Sequence, residues 1–103
     1  MVLTIHNSWA QGSTTASMSG VVKEQGGTEL PGATVIAVPQ PTNTQYVGAT
    51  NAEGRYSIQN MRVGGPYTIT VKYIGYQDRV AENISLTLGQ TLSLNFNMLE
   101  NSQ

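Results

Sequence analysis

Six acidic side chains, five basic ones and a single histidine are spread along this 103-residue chain, which has no cysteine. Nucleophilic catalysis needs a base beside its nucleophile. His6 lies in the N-terminal tail and there is no thiol, so paired carboxylates are the simple option left for acid–base chemistry. Glu24, Glu29, Glu53, Asp78, Glu82 and Glu100 fall mostly in or beside turns, where solvated loop charge is the expected role. No glycine-rich loop opens a helix to cradle phosphate, because no helical period is present. Lone His6 and the lack of Cys also remove clustered-histidine and cysteine-based metal sites. The reading is of a non-enzyme with no catalytic residue, no cofactor and no metal centre.

Three further constellations have chemistry worth weighing. Asn51-Ala52-Glu53-Gly54 offers side-chain oxygens from Asn51 and Glu53 alone. Calcium takes about six to eight oxygens, so an Asx-type turn is the stronger reading. Lys23 in the first strand and Asn95 and Asn97 in the last could in principle form an internal isopeptide bond. Such a bond needs a desolvated site, and alternation with Val22, Leu94 and Phe96 puts all three on outer faces. For carbohydrate stacking, Tyr76 beside Gly75 is the best exposed aromatic, because the one tryptophan, Trp9, is in the tail.

Composition narrows the partners. The formal net charge is −1, and five Lys and Arg are scattered along the chain. Phosphate backbones need a basic patch, so nucleic acid is not an expected partner. No apolar run reaches the roughly 20 residues of a membrane helix, and direct insertion of this chain is not expected. Charged residues make up only 11%, which suits exposed β-faces rich in Thr, Ser and Asn.

These groups are carried on segments that read as short strands. The central one follows Gly64-Gly65-Pro66, a turn signal, with Pro66 where a strand can begin. Tyr67, Ile69, Val71 and Tyr73 then alternate with Thr68, Thr70 and Lys72, the period of a half-buried strand. Gly75 predicts a bulge or bend. Upstream, a first strand is expected over 18–23 and a second, covered on both faces, over 33–38, ended by Pro39 and Pro41. Residues 45–50 and 55–58 read as a hairpin across Asn51–Gly54, with Gly54 left-handed. Residues 77–80 and 83–88 follow, the latter with Ile84, Leu86 and Leu88 on one face. The last strand, 91–98, turns Leu92, Leu94, Phe96 and Met98 inward. Turn signals recur about every eight to twelve residues, which predicts an all-β, seven- to eight-stranded antiparallel β-sandwich.

Three stretches differ in character. In 1–16, Ser8-Trp9-Ala10 fits a signal-peptidase site after Ala10, so a truncated secretion-signal remnant and linker competes with a plain tail. Residues 17–99 form the domain, and 100–103 a polar end.

Gly20-Val21-Val22, Leu30-Pro31-Gly32-Ala33-Thr34-Val35, Asn51-Ala52-Glu53-Gly54-Arg55-Tyr56, Asn60-Met61-Arg62-Val63-Gly64-Gly65-Pro66-Tyr67 and Gly75-Tyr76 together resemble the carboxypeptidase regulatory-like domain, of transthyretin-like, carbohydrate-binding-like fold. The Arg-Val-Gly-Gly-Pro-Tyr form, with Leu88-Gly89-Gln90-Thr91 and Leu94-Asn95-Phe96, looks most like the version at the N-terminus of Oar- and SusC-type TonB-dependent outer-membrane receptors of Bacteroidetes. That resemblance implies a non-catalytic accessory domain on the periplasmic side of the outer membrane. Its partners would be other domains of the same receptor and proteins of the periplasmic TonB system. It also implies an excised fragment, since no plug, barrel or TonB-contacting segment follows before Gln103. The alternatives are a stability or folding module of a secreted peptidase, and a carbohydrate-binding or adhesin module. Because loops carry function on sandwiches, Asn51, Glu53, Arg55, Arg62 and Tyr76 are the candidate interaction residues.

Overall fold

The structure is a computed structural model that describes residues 14–42 and 44–101. Its strands, in chain order, are β1 (Thr15–Glu24), β2 (Thr34–Pro39), β3 (Tyr46–Ala49), β4 (Arg55–Arg62), β5 (Gly64–Lys72), β6 (Arg79–Leu86), β7 (Thr91–Ser93) and β8 (Phe96–Met98). They form two sheets: β1 lies between β4 on one side and β7 and β8 on the other, and the second sheet runs β3-β2-β5-β6. The all-β sandwich expected from the alternation is the fold observed.

The core is where the inward halves of these strands meet. Tyr67, Ile69 and Val71 of β5 are fully buried, as the central-strand alternation requires. Met18 and Val22 of β1, Val35 and Ala37 of β2, Tyr56, Ile58 and Met61 of β4, Leu86 of β6 and Phe96 and Met98 of β8 complete the same cluster. Each large side chain buried here contributes on the order of 1.5–3 kcal/mol. β5 is interior to its sheet, paired with both β2 and β6.

Five details depart from the expected pattern. β1 starts at Thr15, ahead of Met18, because Ala16 is buried and Thr15 and Ala16 pair with Arg62 and Met61. β2 is not covered on both faces: Val35, Ala37 and Pro39 are buried while Thr34, Ile36 and Val38 are only half-buried. A β-branched run fits a one-sided strand as well as a two-sided one.

β3 and β4 do not form a hairpin. β3 pairs with β2 and β4 with β1, so the Asn51–Gly54 turn carries the chain from one sheet to the other. Gly54 does take the left-handed conformation, with φ 77°, and Cβ there would approach the Val22 carbonyl to 2.9 Å.

Residues 79–86 are one strand, kinked where Asn83 adopts φ 61°. Leu88 lies beyond it in a turn and is 61% exposed, so it does not share the buried face of Leu86. The last expected strand is split into β7 and β8, and both run parallel to β1. Alternation encodes which face a side chain takes, not strand direction. The inward–outward pattern from Leu92 to Met98 therefore holds across a pairing that is not antiparallel.

Candidate functional site

The split between β7 and β8 is where the sheet opens. At Gly20, in the middle of β1, a Cβ atom would lie 1.9 Å from the Leu94 carbonyl oxygen, so the last strand can cross here only above a glycine. The Leu94 N–H donates to the Ser19 carbonyl at 2.8 Å. One residue on, the Asn95 side chain replaces a ladder carbonyl: its Oδ1 accepts the Val21 N–H at 2.9 Å. From the core side, the Tyr56 hydroxyl donates to the Leu94 carbonyl at 2.5 Å.

Outside this pinch lies an open cleft of about 670 Å³. Ser19 pairs with Ser57 of β4 on one side and with Ser93 of β7 on the other, so three hydroxyls form a row across the sheet. Arg55, Asn51 and Asn95 stand along the next row. The cross-sheet turn brings Asn51 here, and that turn is closed by Asn51 itself. Its Oδ1 accepts the N–H groups of Glu53 at 2.9 Å and of Arg55 at 3.0 Å, while Arg55 returns its carbonyl to the Asn51 N–H at 2.9 Å. This is the Asx-type turn expected from the sequence, and it commits the oxygen a calcium ion would have needed.

The electrostatics of the cleft are one-sided. Among the described residues no carboxylate lines it. Among the described residues the salt bridge is Lys72–Asp78, at 2.6 Å on an exposed face elsewhere, so the Arg55 guanidinium has no ion-pair partner. The Asn51 and Asn95 oxygens are taken by backbone N–H groups, which leaves their NH₂ groups facing outward as donors.

The other expected site residues are dispersed. Glu53 is exposed in the turn and does not line the cleft. Arg62 is at the opposite end of β1, across from Thr15. Its backbone anchors two tyrosines: the Tyr67 hydroxyl donates to its carbonyl at 2.6 Å and its N–H donates to the Tyr46 hydroxyl at 3.3 Å. Burial, with the Tyr46 hydroxyl alongside, pushes the Tyr67 phenol up to about 12. Burial pushes Tyr56 higher still. Tyr76 lies near the Glu24 end of β1, bridged to Glu100, and its hydroxyl donates to Glu24 Oε1 at 3.1 Å. Partial desolvation and then the Glu24 carboxylate raise its pKa. Its ring packs against Tyr73 with centroids 5.5 Å apart, so it is not a free stacking platform. Lys23 and Asn97 are register partners with outward side chains, as parity predicted. His6, Trp9 and the Ser8–Ala10 cleavage pattern lie outside the described residues.

Sequence reasoning missed Ser19, Ser57, Ser93 and the role of Gly20. The signal available was a serine on the outer parity of three strands. It has no meaning until the pairing is known.

The two sheets and the cleft define a β-sandwich module with hydrogen-bonding groups gathered on one outer face. The chain belongs to the carboxypeptidase regulatory-like domain family, whose model matches residues 17–99. No curated protein sequence matches the chain. Several solved structures share the fold. Catechol 1,2-dioxygenase of Acinetobacter radioresistens aligns with TM-score 0.68 and 13% identity, over 94% of this chain and 55% of that one. The Bacillus anthracis TIE protein aligns with TM-score 0.68 and 19% identity, over 84% of this chain and 17% of that one. A chain of a type II cohesin–X-dockerin complex from Acetivibrio cellulolyticus aligns with TM-score 0.64 and 23% identity, over 82% of this chain and 58% of that one. The chain thus spans about half the length of the dioxygenases and under a fifth of the TIE protein. At these identities the likeness carries the fold and nothing of activity.

Proposed function

We propose that this chain is a non-catalytic accessory domain that works through protein contacts at the N-terminal, periplasmic side of a TonB-dependent outer-membrane receptor. The observation that carries the reading is the family match over 17–99, joined to the receptor-like Arg62–Tyr67, Leu88–Thr91 and Leu94–Phe96 segments. The family is a non-catalytic one, and the cleft supports the same reading chemically. It gathers hydrogen-bonding groups and a guanidinium without an ion-pair partner among the described residues, rather than a nucleophile beside a base. The open edges β3, β4 and β6, and the β7–β8 side of the first sheet, add unpaired backbone groups of the kind partners use. The family's association with carboxypeptidases favours a second reading, a stability module of a secreted peptidase.

The test is to blot fractionated membranes of the source organism with an antibody to this domain. A band far larger than 11.0 kDa in the outer-membrane fraction is expected. A small soluble band, or a large one released to the medium, refutes the receptor reading and leaves the peptidase or adhesin context.

A further inference from the structure

The cleft over Gly20 is unusual in what it withholds. A site for neutral sugar hydroxyls uses planar acceptors and an aromatic face. Here the Asn51 oxygen accepts two backbone N–H groups and the Asn95 oxygen one, no carboxylate of the described residues lines the cleft, and Tyr56 is 3% exposed with its ring in the core. What lines it is Arg55, the amides of Asn51 and Asn95, and the hydroxyl residues Ser19, Ser57 and Ser93, with Ser57 Oγ accepting from Gln59 Nε2 at 2.8 Å and keeping its own O–H to donate. Glu53, in the same turn, makes no ion pair with Arg55. Such a surface is complementary to a ligand rich in acceptors that carries one negative charge.

We propose that this cleft binds an acidic peptide segment, a partner chemistry that stands only if the interaction-module reading does. A glutamate or aspartate carboxylate would sit on Arg55, whose planar fork matches a carboxylate in two hydrogen bonds. Backbone carbonyls on either side of the acid would take the Asn51 and Asn95 NH₂ groups and the serine hydroxyls. At about 670 Å³ and open to solvent, the cleft accommodates a few residues of extended chain. The pinch gives the site its rigidity. Arg55 is fixed by two backbone hydrogen bonds to Asn51, and Asn95 by its bond to Val21. The Asn51 and Asn95 amides, each held by its own hydrogen bonds, lose little freedom on binding, while the longer Arg55 side chain orders on the ligand.

The test is an amide chemical-shift titration of the 103-residue chain with N-acetylated, C-amidated Gly-Ser-Glu-Ser-Gly, its glutamine counterpart, and galacturonate. Saturable shifts confined to the amides around Ser19, Val21, Ser57, Ser93 and Asn95 are expected with the glutamate peptide. Affinity should be at least about tenfold weaker with the glutamine peptide and weaker again at high salt. Arg55→Gln should remove the charge preference while keeping its backbone bonds. Asn95→Asp keeps an oxygen for the Val21 N–H but adds a negative charge, so it should abolish binding with the fold's spectrum intact. Silence of the peptide, equal binding of the two peptides, shifts elsewhere on the domain, or saturation by galacturonate alone would each overturn the proposal. If the titration is silent while the receptor-sized band is found, only the cleft's assignment falls; a missing band with a positive titration removes the receptor context instead.

Discussion

Replacing Thr50 by valine should destabilise the domain strongly although it keeps the side chain's shape. Thr50 is 6% exposed, and its hydroxyl makes two buried hydrogen bonds. It donates to the Leu30 carbonyl at 2.6 Å and accepts the Ala33 N–H at 2.8 Å. The Leu30–Ala33 loop is thereby held to the turn that changes sheets, together with the Thr50 N–H to Ala33 carbonyl and Gly32 N–H to Thr50 carbonyl bonds. Valine fills the same volume but leaves one carbonyl and one N–H unpaired. Each orphaned group costs about 1–3 kcal/mol, and some water access near the loop lowers the sum, so roughly 2–4 kcal/mol is expected. For a domain of this size that corresponds to a fall in Tm on the order of 10–20 °C. Thr50→Ser is the control: it keeps both bonds and loses one methyl, about 1 kcal/mol. Urea unfolding of the three proteins, with Tm from calorimetry, makes the comparison. A valine variant as stable as the wild type, or more stable than the serine variant, would falsify the assignment of this hydroxyl as the tie between loop and turn.

Gly20→Ala should cost about 3 kcal/mol or more, because its Cβ would meet the Leu94 carbonyl at 1.9 Å; the urea midpoint should fall, and new amide shifts should centre on Ser93 to Asn95. Tyr67 is held up to about 12 and Tyr56 is raised further by burial, while in the unfolded chain both ionise near about 10. The unfolded state therefore loses these protons first, so their contribution is full below about pH 10 and declines as pH rises through the folded values. Urea midpoints measured across that window should drop, and the drop should shrink in Tyr56→Phe; a flat profile would refute it. Asn51→Ala removes the acceptor for the Glu53 and Arg55 N–H groups and should cost about 0.5–1 kcal/mol, with faster hydrogen exchange at those two amides as the readout. Lys72→Ala breaks an exposed pair and should leave stability within about 0.5 kcal/mol on the same urea curves.

Much of the fold was legible because burial in β2, β5 and β8 follows a period of two. Tyr67, Ile69 and Val71 are all fully buried, and Phe96 and Met98 lie inward as the alternation required. What alternation does not encode is which strands neighbour each other. The Asn51–Gly54 turn has hairpin chemistry, and its local geometry forms, down to the left-handed Gly54. Yet the strands it joins go to different sheets, since β4 finds its partner in β1 across a long stretch of sequence. Ala16 illustrates the same limit. Its small polar surroundings look like linker, and only the pairing with Met61 reveals a strand residue.

The cleft follows from this same non-local pairing, which is why only part of it could be read. Asn51 and Arg55 were accessible to sequence reasoning because one turn carries both. Their companions Ser19 and Ser93 are 74 residues apart in the chain and meet only because β7 adds parallel to β1. An antiparallel last strand with the same inward face would reverse the order of its outward residues, so Ser93 beside Ser19 and Asn95 beside the Val21–Arg55 row could not both occur. Gly20 then sets the position of the opening, since the Leu94 carbonyl can pass over β1 only where there is no Cβ. Asn95 closes the gap by accepting the Val21 N–H on its side-chain oxygen, and its amide NH₂ is left pointing outward. The donor surface is thus a consequence of how the sheet repairs its own irregularity: the oxygens go to the backbone, and the N–H groups remain for a ligand.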